Sequence, residues 1–197
     1  MGLQHSYTLI APLYDAVLAR ATEGLRRQSL QALPATPGRI LLAGIGTGLD
    51  LPHLPRRHHY IGLDLTQAML KRAGPRTGQL DFQSVQGDTQ RLPFADNSFD
   101  CAVLHLILAV VPQPGQCLAE ISRCLRPGGS VLVLDKFLRP GQRAPLRRLL
   151  NPLLRRVATR LDVVFEDLLA TTPELLSVED RPALAGGWFR MIRLHKL

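Results

Sequence analysis

The stretch of residues 39–48, RILLAGIGTG, decides the fold of this chain. Its first half is a short apolar run, which predicts a buried β-strand over Arg39–Ala43. Its second half carries Gly44, Gly46 and Gly48, which let the backbone turn sharply and come close to a ligand. A glycine loop directly after a buried strand is typical of α/β proteins that bind a nucleotide.

An acidic residue follows the glycine loop at a characteristic distance. Asp64 lies 20 residues after Gly44, at the end of the second predicted strand. A carboxylate at this place can accept hydrogen bonds from both hydroxyls of a ribose. The alternative is that Asp64 caps the N-terminus of a helix predicted over residues 66–73.

The rest of the chain alternates apolar runs with helical patterns, which is typical of a parallel α/β sheet. Further strands are predicted over residues 60–63, 80–86, 99–106 and 130–134, with a C-terminal antiparallel hairpin of residues 175–181 and 188–195. Helices are predicted over residues 66–73 and 116–125. The sequence therefore predicts an α/β, Rossmann-like, doubly wound sheet of seven mostly parallel strands, with an antiparallel C-terminal strand at its far edge.

The length of 197 residues fits one domain. We expect that domain to have four parts: an N-terminal helical segment (1–33), a cofactor-binding core (34–136), a helical insert (137–161), and a C-terminal helix and hairpin (162–197). The hydrophobic content of 46% excludes a disordered chain. No apolar run approaches the roughly 20 residues of a membrane span, and no signal sequence is recognised. Three cysteines without metal-ligand spacing favour reduced thiols in the cytoplasm and no metal site.

The chain is basic, with 24 Lys+Arg against 16 Asp+Glu and a net charge of +8. From Arg139 to Arg160, leucines recur at helical spacing, arginines occupy the other face, and there is no acidic residue. Such a helix can lie on an anionic membrane surface, which would make the protein peripheral at the inner membrane face. The alternative is that its leucines cover an active site and its arginines are solvated.

Taken together, the motifs resemble those of class I S-adenosylmethionine-dependent methyltransferases. They are the glycine loop, Asp64, Asp88 after the third strand, and the LRPGG run of residues 125–129. In that family the loop passes under the methionine part of the cofactor, an acid holds the ribose, and a later acid lies near the adenine amino group. The resemblance implies S-adenosylmethionine as the cofactor, bound by Gly44, Ile45, Gly46, Thr47, Gly48, Asp64, Leu65, Asp88, Thr89 and His105.

Within this class, the chain is similar to phospholipid (phosphatidylethanolamine) N-methyltransferases and to ubiquinone/menaquinone C-methyltransferases. Residues 46–52, 92–100 and 106–112 carry this finer resemblance. It implies methyl transfer to a small, lipophilic acceptor, such as a phospholipid amine head group or a quinone precursor. One position departs from the pattern, because Leu42 stands where the family usually has an acid that orients the loop and the amino end of the cofactor. We therefore expect weaker cofactor binding.

Three residues are candidates for catalysis. His105 lies at the carboxyl end of the fourth strand, where its imidazole could remove a proton from the acceptor. The alternative is a histidine that only makes a hydrogen bond with the backbone. Tyr7 and Tyr14 lie in the segment that the resemblance implies is a lid, where a phenol could orient the acceptor or face the sulfonium. The alternative is that both anchor an amphipathic helix.

Three other functions compete with this one. A dinucleotide dehydrogenase is disfavoured because the loop is GxGxG and lacks the GxGxxG spacing. Methyl transfer to a polar small molecule or to RNA is compatible with the charge, but an aromatic content of 5% offers few surfaces for base stacking and disfavours a nucleic-acid partner. A cofactor-binding protein without turnover is the third. The acceptor and the oligomeric state stay open.

Overall fold

The structure is a computed structural model that describes residues 21–139, 141 and 162–197. The strands are β1 (Arg39–Ala43), β2 (His59–Asp64), β3 (Asp81–Gln86), β4 (Phe99–His105), β5 (Leu125–Lys136), β6 (Leu175–Leu184) and β7 (Phe189–Lys196). The α-helices are α1, described over residues 21–30, α2 (Gln67–Ala73), α3 (Pro114–Cys124) and α4 (Phe165–Ala170). Short 3₁₀ turns lie at Leu51–His53, Gly74–Arg76 and Ala185–Gly187.

Within these residues the strands form one seven-stranded sheet in the order β3-β2-β1-β4-β5-β7-β6. The first five strands are parallel to one another, and β7 is antiparallel to β5. The predicted mixed sheet and its antiparallel C-terminal strand are therefore confirmed. However, β7 lies one place inside the edge, because the hairpin places its second strand beside β5 and leaves β6 outermost.

The strand order reverses between β1 and β4, and this reversal locates the site. In a doubly wound sheet the connections leave such neighbouring strands in opposite directions, so a crevice opens at their carboxyl ends. Here β1 pairs with β2 on one side and with β4 on the other, with Ile40 opposite both Tyr60 and Cys101. The glycine loop follows β1 at this crevice, and His105 ends β4 there.

The sheet has a hydrophobic core on each face. One core contains apolar residues of α3 and α4, including Cys117, Cys124 and Phe165. The other contains Leu30, at the end of α1, with residues of α2 and Cys101. All three cysteines are free and buried. Burial raises the pKa of Cys101 and Cys117 to about 12 and that of Cys124 to about 11.

Two boundaries differ from the sequence prediction for local backbone reasons. The LRPGG run forms the start of β5, where an irregular register between Phe99 and Cys101 of β4 accommodates it. The fourth strand ends at His105 because Leu106 has a φ of 61°, which a strand cannot continue through. No helix of the described ranges is long and apolar enough to cross a bilayer.

Candidate functional site

The glycine loop of residues 44–48 turns through three positive φ angles, 68° at Gly44, 57° at Gly46 and 79° at Gly48. A Cβ on Gly44 would lie 2.4 Å from the Cδ1 of Ile107, so this glycine lets the loop after β4 pack closely. A Cβ on Gly46 would meet no atom of the described residues within 4 Å. The middle of the loop therefore faces open space, as a backbone cradle for a ligand requires.

The side chains of the loop turn away from that open space. Ile45 packs into the core on the α1 side and is 7% exposed. Thr47 is buried, and its carbonyl and hydroxyl accept hydrogen bonds from the Arg76 guanidinium at 2.6 and 3.2 Å. Arg76 thus holds the loop from the far side, and the loop offers backbone rather than side chains to a ligand.

Asp64 lies at the end of β2 beside the loop. Its Oδ2 accepts a hydrogen bond from the backbone N–H of Gly46 at 2.9 Å. Its Oδ1 accepts from the backbone N–H and the hydroxyl of Thr66, at 3.0 and 3.3 Å. Because a carboxylate has about four acceptor positions, Asp64 supports the start of α2 and still has capacity for a hydroxyl. The neighbouring Leu65 is half exposed.

Asp88 and Thr89 follow β3 at the same edge of the sheet. The backbone N–H of Gly87 donates to the Asp64 carbonyl at 2.9 Å, which holds the ends of β2 and β3 together. Gln90 donates to the Asp88 carboxylate through its backbone N–H at 2.9 Å and through its side-chain amide at 3.0 Å. Thr89 is buried. Asp88 is therefore a fixed acceptor one strand away from Asp64.

Beside the crevice, five side chains form a buried polar cluster: Thr22, Arg26, Ser29, Asp50 and His105. In this cluster Arg26 donates from Nε to the Thr22 hydroxyl at 3.0 Å and from Nη1 to Asp50 Oδ1 at 2.9 Å. The His105 ring has Nδ1 at 2.8 Å from the same Asp50 oxygen and Nε2 at 3.0 Å from the Ser29 hydroxyl. The cluster joins α1 to the end of the glycine loop and the end of β4.

The charges in the polar cluster determine the state of Asp50. Burial alone would raise the pKa of Asp50, but the charges and hydrogen bonds of His105 and Arg26 outweigh burial and hold it below its ordinary value. Asp50 is therefore ionised and can only accept hydrogen bonds. It follows that Nδ1 of His105 carries a hydrogen and donates it to Asp50. The other ring nitrogen, Nε2, makes the hydrogen bond with the Ser29 hydroxyl.

This geometry bears on the prediction that His105 is a general base. Both ring nitrogens have partners within the polar cluster, and the side chain is 1% exposed. A contact would have to open before His105 could take a proton from an acceptor, and its role as a general base stays a prediction. The alternative, that His105 makes a hydrogen bond only with the backbone, is wrong because both of its partners are side chains. Tyr7 and Tyr14 lie outside the described residues.

The carboxyl end of β5 carries a buried acid and a lysine. Asp135 accepts hydrogen bonds from the backbone N–H groups of Ala109 at 3.0 Å and Lys136 at 2.8 Å. Burial raises the pKa of Asp135, and burial lowers the pKa of Lys136. Asp135 thus anchors the loop after β4, the loop that also carries Ile107 against Gly44.

Sequence reasoning missed Arg26, Ser29 and Asp50. A signal was present, since Asp50 is a charged residue between two leucines directly after the glycine loop, and Arg26 and Ser29 are three residues apart on one helix face. The structure also shows the surroundings of Leu42, which stands where the family usually has an acid. This side chain is 2% exposed and belongs to the core on the α1 side, so the end of β1 offers no carboxylate.

The chain is similar to known proteins. A family profile described as "Methyltransferase domain" matches residues 41–133. The chain is 31% identical over 189 residues to a phosphatidylethanolamine N-methyltransferase of Cereibacter sphaeroides, which covers 93% of each protein. It is 37% identical over 133 residues to a demethylmenaquinone methyltransferase of Renibacterium salmoninarum, covering 64% of this chain and 55% of that protein.

The fold has a solved counterpart that contains a cofactor product. Geranyl diphosphate C-methyltransferase from Streptomyces coelicolor, crystallised with S-adenosyl-L-homocysteine, has a TM-score of 0.73 at 15% identity, covering 89% of this chain and 76% of that one. The site described above fits such a cofactor, because among the described residues open space lies beside Gly46 and Asp64 keeps acceptor capacity for a ribose hydroxyl. Together with the relative that matches over 93% of the chain, these observations show that the protein belongs to the class I methyltransferases that use S-adenosylmethionine.

Proposed function

We propose that this methyltransferase methylates the amine of a phospholipid head group. The observation that carries the proposal is the match to the phosphatidylethanolamine N-methyltransferase over 93% of both proteins, which includes the segments before and after the cofactor-binding core. We propose that those segments supply the acceptor pocket. The match to the menaquinone enzyme is confined to 64% of this chain, so a quinone precursor is the second candidate.

The residues that would hold the cofactor follow from the site. Residues 44–48 would lie under its methionine part, Asp64 and Leu65 would contact the ribose, and Asp88 with Thr89 would lie near the adenine. The support is that the loop presents backbone to open space and that Asp64 and Asp88 are fixed acceptors at neighbouring strand ends. When bound, S-adenosylmethionine supplies an electrophilic methyl group on a good leaving group.

The chain's own contribution to the reaction is positioning. An in-line displacement gains most of its rate from holding the acceptor in line and from excluding water. Asp135 fixes the loop after β4, and Ile107 of that loop packs against Gly44, so both loops that border the crevice are held in place. Because His105 is fully engaged, we propose that the acceptor enters as a neutral amine and loses its proton to solvent. Tyr7 and Tyr14 stay candidates to orient it.

The test is methyl transfer from labelled S-adenosylmethionine to defined lipids. Vesicles of phosphatidylethanolamine should accept label into the organic phase, and thin-layer separation should show N-methylated products. Vesicles of phosphatidylcholine, whose amine is already fully methylated, serve as the matched control. Label on demethylmenaquinone alone would replace the first candidate with the second. Label only in the aqueous phase of a cell extract would indicate a polar acceptor, and cofactor binding without any transfer would indicate a protein without turnover.

We further propose that the basic segment from Arg139 to Arg160 holds the enzyme on an anionic membrane surface at the cytoplasmic face. The proposal rests on the sequence pattern, since all but two residues of the segment lie outside the described part. Changing Arg147, Arg148, Arg155 and Arg156 to Gln should abolish sedimentation with anionic vesicles. A control with the same charge loss changes four exposed arginines elsewhere: Arg27, Arg56, Arg72 and Arg91. Equal loss in both variants would mean that net charge alone, and not this segment, drives binding.

A further inference from the structure

The polar cluster contains one donor and one acceptor that the protein itself does not use. Arg26 donates a hydrogen bond from Nε to Thr22 and from Nη1 to Asp50. Its Nη2 has no hydrogen-bond partner among the described residues. Asp50 receives both Arg26 and His105 on Oδ1, and over the same residues Oδ2 has no partner. The Asp50 carboxylate also makes no cap for the 3₁₀ turn that follows it.

These two groups are charged and nearly buried. Arg26 and Asp50 are each 6% exposed. Buried polar groups in native proteins almost always have at least one hydrogen-bond partner, and both residues meet this rule within the cluster. Their Nη2 and Oδ2 atoms are not among the fully buried atoms that lack a partner, so both atoms can still contact a ligand. An ion pair that keeps one guanidinium nitrogen and one carboxylate oxygen without a partner among the described residues matches a ligand end that carries both a carboxylate and an ammonium.

The pair also lies at the correct place for such a ligand end. Asp50 comes two residues after Gly48, and its partner His105 ends β4, the strand that pairs with β1. The pair is therefore next to the glycine loop, over which the methionine part of the cofactor is expected to lie. At the end of β1 itself, Leu42 is buried in the core and offers no acceptor.

We propose that Arg26 and Asp50 bind the zwitterionic end of the cofactor's methionine part. Asp50 accepts a hydrogen bond on Oδ2 from the ammonium, and Arg26 donates one from Nη2 to the carboxylate. Asp50 thereby replaces the acid that is missing at Leu42. His105 is a positioning residue, because its Nδ1–H holds Asp50 Oδ1. This inference rests on the cofactor and not on the identity of the acceptor.

The test compares two ligands that differ only in the zwitterionic end. S-adenosylhomocysteine has this end, and 5′-methylthioadenosine lacks it, so both are titrated by calorimetry into the wild type, Asp50→Asn and Arg26→Gln. Each variant should bind S-adenosylhomocysteine about 10- to 100-fold more weakly, the usual effect of losing a charged hydrogen bond. Binding of methylthioadenosine should be unchanged. Equal loss for both ligands, or no loss for S-adenosylhomocysteine, would overturn the proposal.

A third ligand assigns the two contacts separately. Decarboxylated S-adenosylmethionine keeps the ammonium and lacks the carboxylate, so Asp50→Asn should weaken it and Arg26→Gln should not. The reverse pattern would overturn the assignment.

Because each single change leaves a buried charge unpaired, folding is checked first by thermal unfolding without ligand. The double variant Arg26→Met/Asp50→Leu removes both charges together. It should keep methylthioadenosine binding and lose the preference for S-adenosylhomocysteine. A double variant that keeps the preference would refute the proposal.

Discussion

At the scale of single residues, the Asp64 carboxylate connects the glycine loop to the start of α2. It holds the Gly46 N–H on one oxygen and the start of α2, through Thr66, on the other. The N-cap residue of α2 is Thr66, and Asp64 accepts a hydrogen bond from the N–H of Thr66 itself. Of the two alternatives raised by the sequence, the helix cap is therefore wrong, and the ribose ligand stays a prediction. We expect any change at Asp64 to affect both the loop and cofactor binding.

We expect Asp64→Asn to weaken S-adenosylhomocysteine binding by about tenfold or more, since the amide keeps only one acceptor oxygen and places an NH₂ group against a backbone N–H. The measurement is calorimetric titration. The control is Asp81→Asn at the start of β3, at the opposite end of the strands, where the carboxylate is exposed and pairs with His59. Indistinguishable affinities of the two variants would contradict the role given to Asp64.

Part of the site could be predicted from the sequence, and part could not. The glycines and Asp64 follow a fixed spacing around one strand-turn-strand unit, so their neighbourhood is local. The polar cluster depends on contacts between residues far apart in the chain, such as Ser29 with His105, 76 positions away. Only the packing of α1 on the sheet brings these together, and a residue such as His105 looks like a free base until its partners are known.

At the scale of elements, two glycines of the same loop have different surroundings, one packed against a neighbouring loop and one facing open space. Gly44 is required because a side chain would collide with Ile107, whereas Gly46 has open space in front of it. The sequence predicts this loop and the parallel strands well, because each strand is a short apolar run. It does not show that β7 inserts beside β5, since the order of a hairpin's two strands depends on how the whole sheet packs.

We expect Gly46→Ala to fold and to lose cofactor affinity, because the new methyl group would occupy the space in front of the loop. Gly78→Ala is a matched control, since Gly78 has a φ of 55° against 57° for Gly46. At both positions an added Cβ would have no neighbour within 4 Å in the part of the chain that the structure describes. Both changes carry the same backbone strain of about 1 kcal/mol. Titration with S-adenosylhomocysteine should separate them, and equal affinities would show that the open space is not the ligand site.

At the scale of the whole molecule, the polar cluster links stability to pH. Asp50 has a folded-state pKa below its ordinary value of 3.8. A group with a lowered pKa contributes stability that is present above the unfolded-state pKa and is lost as the pH falls through the folded-state pKa. The contribution of Asp50 should thus be full at neutral pH and decline in acid.

We expect the free energy of unfolding of the wild type to exceed that of Asp50→Asn near neutral pH, and the difference to shrink below about pH 4. Urea titrations at a series of pH values measure it. For Asp81→Asn, which removes an exposed carboxylate, the free energy of unfolding should change with pH as it does for the wild type. A difference between wild type and Asp50→Asn that stays constant down to pH 3 would contradict the linkage.

The three buried thiols can report local unfolding of this protein, because a reagent reaches each of them only when the structure around it opens. Thiol reagents attack the thiolate, and burial keeps all three thiols protonated and covered in the closed form. Cys101 faces the layer of α1, whereas Cys117 and Cys124 belong to α3 on the opposite face. The order in which a maleimide modifies the three cysteines would therefore show which helical layer separates from the sheet first. No additional cysteine or label has to be introduced.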